Sequence, residues 1–103
     1  MEEGDYSERN SVIAIGITPV LVSRAPVSGK RKNITITNTS AAAQVITISK
    51  GIGLAVAGAG IVLQPTGSYS DATVNENSKC YQGTISVISD VAAGQISVSE
   101  EFE

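Results

Sequence analysis

The residues able to do chemistry are few and scattered. Histidine is absent and Cys80 is the single cysteine. An internal disulfide, a cysteine/histidine zinc site and any triad or acid–base scheme built on imidazole are therefore excluded. Asp71, Glu76 and Asp90 could supply a carboxylate pair for glycoside hydrolysis or oxygen ligands for calcium. Their spacing requires neither, and each lies in or beside a turn signal, where aspartate hydrogen-bonds its own backbone. Ser68, Ser70 and Ser86 have no histidine or suitably placed lysine to activate a hydroxyl. The glycines at 51, 53, 58 and 60 lack the following lysine of a phosphate-binding loop. Cys80, beside Tyr81, reads as filler at the start of a strand near the core. Asn33-Ile34-Thr35 and Asn38-Thr39-Ser40 match the glycosylation triplet, but an acidic N-terminus without a basic-then-apolar pattern makes these chance matches. The expectation is a chain with no catalytic residue, no cofactor and no metal, and so not an enzyme.

Charge is the next resource, and it is segregated. The 103 residues carry 7 basic and 10 acidic side chains, a formal net charge of -3, and charged residues make up 17% of the chain. No acid occurs between Arg9 and Ser70, whereas that stretch holds Arg24, Lys30, Arg31, Lys32 and Lys50. Acids gather at Glu2 to Glu8 and at Glu100, Glu101 and Glu103. Acidic tails around a basic middle can steer and register contacts between subunits; the alternative is solvated, mobile ends. The candidate partner-binding residues are accordingly Glu2, Glu3, Tyr6, Arg24, Lys30, Arg31, Lys32 and Phe102. Lys30-Arg31-Lys32 does not point to nucleic acid, because the chain is acidic and no stacking aromatics lie nearby. These three are expected to flank a strand and guard its edge against aggregation.

The elements that must position such residues read as strands. Valine, isoleucine and threonine recur with a period of two between Gly, Pro, Ser and Asn clusters. In Asn33 to Asn38, Ile34 and Ile36 point to one face while Asn33, Thr35 and Thr37 point to the other. Gln44 to Ser49 follows after a hairpin-sized loop and is expected to pair with it, and Thr84 to Ser89 with Gln95 to Ser99 reads as a second hairpin. Gly51 to Gly60 reads as a loop. Gly60 to Leu63 and Ser68 to Ser70 are expected to pair across Gln64-Pro65-Thr66-Gly67, with proline at the first corner and glycine accepting a positive φ. Ser11 to Ile17 is a strand ended by Thr18-Pro19, which Val20-Leu21-Val22 continues after a kink. The fold class is all-β: an antiparallel β-sandwich or small barrel of about 7–8 short strands. Residues 1–10 form an acidic arm and residues 11–103 a single domain. No stretch reaches the roughly 20 apolar residues of a membrane helix, so no membrane partner is expected.

Four aromatics, Tyr6, Tyr69, Tyr81 and Phe102, leave the core to Ile, Val, Leu and Ala. Thin cores and threonine-rich edges favour self-association, so a homo-oligomer is expected. From Lys30 to Glu101 the chain resembles a small β-domain found among virion structural proteins of tailed bacteriophages. The resemblance is carried by Arg31-Lys32-Asn33-Ile34-Thr35-Ile36-Thr37-Asn38, by the strand reaching Lys50-Gly51, and by a glycine-rich loop ending at Gly60-Ile61-Val62-Leu63. It continues through Pro65-Thr66-Gly67-Ser68-Tyr69, Tyr81-Gln82-Gly83-Thr84-Ile85-Ser86-Val87-Ile88 and Ser97-Val98-Ser99-Glu100. It implies a module that decorates capsids or forms part of fibres and tails. The function expected is a capsid decoration or cement protein that binds the major capsid protein or another virion protein at subunit junctions. Such a protein is made in the host cytoplasm and carried on the virion, and a trimer would suit three-fold positions. The alternatives are a fibre, spike or tail component binding a host-surface receptor or glycan, with Tyr69 and Tyr81 as platforms, and a filament subunit donating its N-terminal strand.

Overall fold

In a computed structural model, residues 7–23, 31–51, 53–75 and 79–102 are described. They form eight strands: β1 (Ser7–Ile15), β2 (Val20–Ser23), β3 (Arg31–Asn38), β4 (Ile46–Lys50), β5 (Ile61–Leu63), β6 (Ser68–Ala72), β7 (Ile85–Ser89) and β8 (Gly94–Phe102). Two four-stranded sheets result, ordered β1-β8-β3-β6 and β2-β7-β4-β5, with every pairing antiparallel. This order, in which the chain crosses between sheets at nearly every connection, is that of an eight-stranded jelly roll.

The alternation seen in the sequence builds the core. Ile34, Ile36, Ile46, Ile48, Ile85, Val87, Ile96 and Val98 are fully buried between the sheets. Each such side chain contributes about 1.5–3 kcal/mol by leaving water, and β-branched residues suit the pleated surface that carries them.

The strands are those expected, but their partners are not. β3 pairs with β8 and β6 and not with β4. β7 pairs with β4 and β2 and not with β8, and β5 and β6 lie in different sheets. β2 likewise belongs to the sheet opposite β1 instead of continuing it. Among the described residues only β4 and β5 form a hairpin between consecutive strands. At Gln64 to Gly67 the positive φ falls on Thr66 (69°), not on Gly67. Gly67 is required for room instead: a Cβ there would lie 2.9 Å from the Gln64 carbonyl oxygen. β1 begins at Ser7, so residues 7–10 belong to the sheet and not to an arm.

Candidate functional site

Strand register turns the charge segregation of the sequence into a polarity of the molecule. Glu8, Arg9, Arg31, Lys32, Lys50, Asp71, Glu100 and Glu101 all sit where β1 and β3 begin and β4, β6 and β8 end, and Lys79 precedes Cys80, which is anchored to Asp71 and Thr73 there. Asp90 is the one charged residue among the described ones at the opposite end, where its carboxylate accepts from the Val45 N–H at 2.9 Å. Asp71 and Asp90 are thus brought apart, and neither forms an acid–base pair with the other.

At the charged end, Arg31 overturns its expected role as a surface contact and edge guard. Its side chain is fully buried, and β3 is an interior strand of its sheet. The cause is local: the register against β8 shifts between Arg31 and Asn33, which throws Lys32 outward and Arg31 inward. Arg31 Nε donates to Glu100 Oε2 at 3.2 Å, and the guanidinium also donates to the Tyr81 carbonyl. Arg9 reaches Glu100 Oε1 at 2.9 Å and donates to the Val22 carbonyl in the other sheet. The acidic C-terminal segment does reach the basic segment, but within one chain. Gln82 closes the arrangement by accepting from the Arg31 N–H and donating to the Arg31 and Cys80 carbonyls. Lys32 is exposed and Phe102 is half-buried, opposite Ser7 and Arg31. Glu2, Glu3, Tyr6, Arg24 and Lys30 lie outside the described residues, as does Glu76.

Beside this cluster, Lys50 Nζ stands 5.5 Å from the Tyr69 ring centre and 5.4 Å from that of Tyr81, so both faces offered as sugar platforms already hold a cation. Asp71 accepts from the Tyr81 N–H at 2.9 Å and from the Tyr69 hydroxyl. Burial, with the Asp71 carboxylate adding to it, pushes the Cys80 thiol up from its ordinary value. Burial chiefly raises the Tyr69 hydroxyl as well, the hydrogen bond with Lys50 opposing it. Both groups hold their protons more tightly folded than unfolded. Their stabilisation is therefore complete below the ordinary values, 9.0 for the thiol and 10.0 for the phenol, and is lost as the pH rises beyond them. Urea midpoints should accordingly fall between pH 9 and 11, with the first part of the decline removed in Cys80→Ala; parallel curves for the two proteins would refute this.

The two outer faces differ in kind. On β1-β8-β3-β6 the outward positions form ladders of small polar groups, such as Asn10, Ser99, Thr35 and Ser70 across four strands, with the Thr35 and Ser70 hydroxyls 3.1 Å apart. On β2-β7-β4-β5 the outward rows are Leu21, Ser86, Ser49 and Ile88, Thr47, Val62. The β4–β5 connection folds back over this face: the Ala55 N–H donates to Ser86 Oγ at 2.8 Å and the Gly58 N–H to Thr47 Oγ1 at 3.0 Å. Gly60 permits that return, because its φ is +135° and a Cβ would lie 2.5 Å from the Ile48 carbonyl oxygen. Covered by this flap, Thr47 and Ser86 are each 1% exposed, whereas Leu54 and Val56 on its outside are 61% and 62% exposed. Leu21 and Val62 extend the apolar surface on either side. No charged residue lies on these rows or in the flap. The sequence marks Gly51 to Gly60 as a loop and assigns it no surface; the unbroken absence of charge from Gly51 to Ser70 is the signal that bears on it.

No family model matches this chain, and neither the curated proteins nor the solved structures contain a match. The functional reading accordingly rests on the fold and on these surfaces.

Proposed function

We propose that the chain is a virion structural protein of a tailed bacteriophage, made in the host cytoplasm and bound as a decoration or cement subunit over junctions of the major capsid protein. The observation that carries this reading is the uncharged apolar face of β2-β7-β4-β5, with Leu54 and Val56 displayed on a flap that is itself hydrogen-bonded to the sheet. Apolar surface held outward by a rigid scaffold favours burial against another protein. The jelly-roll order supports the reading by analogy, since viral capsid domains use it, although the same fold serves lectins and cupins. Mechanically, each copy removes a small apolar area from water across a junction, and many copies on one shell stabilise it by mass action.

The test adds purified protein to shells lacking it and measures co-sedimentation and shell melting. Saturable binding and a raised shell melting temperature are expected. Leu54→Asp combined with Val56→Asp should weaken binding by about tenfold or more, the equivalent of roughly 1.4 kcal/mol, while Thr35→Lys on the opposite face should leave it unchanged. Absence of co-sedimentation, or the reverse pattern in the two variants, would overturn the reading.

A further inference from the structure

Four strands stand at sheet edges: β1, β6, β2 and β5. Natural sheets protect edges by keeping them short, bulged or charged. β5 has three residues, β2 four with a register shift, and β6 five. β1 is different. It has nine residues, all paired with β8 in unbroken register from Ser7 to Ile15, and among the described residues no strand pairs along its other side. Between Asn10 and Ile15 it carries no charge, no proline and no bulge. Val12 at its centre is 67% exposed. The one ionic side chain described near its start, Arg9, is turned toward Glu100 and the Val22 carbonyl of its own molecule and does not guard the edge.

We infer that β1 is a self-recognition edge, and that two copies of the chain join their β1 strands antiparallel about a two-fold axis through Val12. A two-fold axis perpendicular to the sheet keeps outward residues opposite outward residues. Centred on Val12, it sets Val12 against its counterpart and Asn10 against Ala14, with Ser11 and Ile13 meeting on the inner side. No like charges oppose each other over this span, and the edge hydrogen-bonding groups of both copies are satisfied together. The two four-stranded sheets become one sheet of eight strands. The inference does not depend on the virion reading, because the pairing uses a different strand from the apolar face and concerns the free protein.

Sedimentation velocity and light scattering of the free protein test it. A species of twice 10.6 kDa is expected, at a concentration of about 100 µM that would fill a micromolar site. Val12→Lys with Ala14→Lys should convert it to monomer without altering the circular dichroism or the melting cooperativity. Because those lysines could act through the fold, a second measurement introduces one cysteine at a time into a Cys80→Ala chain, so that the native thiol takes no part, and adds the thiol oxidant diamide. Val12→Cys chains should cross-link rapidly into dimers, and Ser70→Cys chains on the β6 edge should not. A monomer at that concentration, a dimer indifferent to the lysines, or equal cross-linking at both edges would overturn the inference, whatever happens with shells.

Discussion

Replacing Glu100 with alanine is expected to lower the unfolding free energy by about 3–5 kcal/mol, the loss usual when one partner of a buried ion pair is removed. Among the described residues two guanidiniums converge on this carboxylate, and they are not equivalent. Arg9 is 46% exposed and can return to water, whereas Arg31 has no exposure at all. The cost therefore falls on Arg31, which stays fully buried and loses its ion pair with Glu100. Glu100→Gln keeps the shape and one acceptor oxygen and should cost less than the alanine variant. The joint replacement Arg31→Met with Glu100→Leu removes both buried charges, and should recover most of the loss, since apolar isosteres often match a buried pair. Urea unfolding with unchanged m-values measures all three. A Glu100→Ala loss below about 1 kcal/mol would mean that the pair sits in water-like surroundings, and the account of the charged end would be wrong.

What the sequence disclosed follows from the range of the forces involved. Ile34 and Ile36 were legible as core, and Thr35 and Thr37 as outer face, because a two-residue period is a local signal. The fold class followed from repetition of that signal. Strand partners were not legible: turns such as Gln64 to Gly67 suit a hairpin and an inter-sheet crossover equally well, and burial of both sheets' inner faces decides between them. Arg31 was misplaced for a similar reason. Alternation alone would put residue 32 inside with Ile34 and Ile36, and only the bulge against β8 exchanges it for Arg31. The bulge and the inward Glu100 stabilise one another across 69 residues of sequence, a separation no local pattern reports. The apolar outer face was half legible: the charge-free run was visible, but the flap's return over Thr47 and Ser86 depends on hydrogen bonds between distant segments.

At the end opposite the ion cluster, Asn38 is expected to matter nearly as much, and its substitutions separate a packing role from a hydrogen-bonding one. Its side chain is fully buried at the close of β3. Nδ2 donates to the Gln44 carbonyl at 2.9 Å and to the Leu63 carbonyl in the opposite sheet at 3.0 Å, while Oδ1 accepts from the Ser40 N–H. One amide thus ties β3 to β5 and to the connection leading into β4. Asn38→Leu preserves volume but strips the donor from two buried carbonyls. At about 1–3 kcal/mol for each buried polar group left unsatisfied, the loss should be roughly 2–6 kcal/mol and independent of pH. Asn38→Asp places a carboxylate where two carbonyl oxygens point, which disfavours ionisation and raises the folded-state pKa above the ordinary value of about 3.9. Its stability is then greatest below that value and falls as the pH rises, so the aspartate variant should approach the wild type near pH 4 and diverge from it at pH 7. Paired urea titrations at the two pH values read this directly. A leucine variant as stable as the wild type, or an aspartate variant whose deficit does not shrink on acidification, would show that the sheets are held at this end by apolar packing and not by the Asn38 amide.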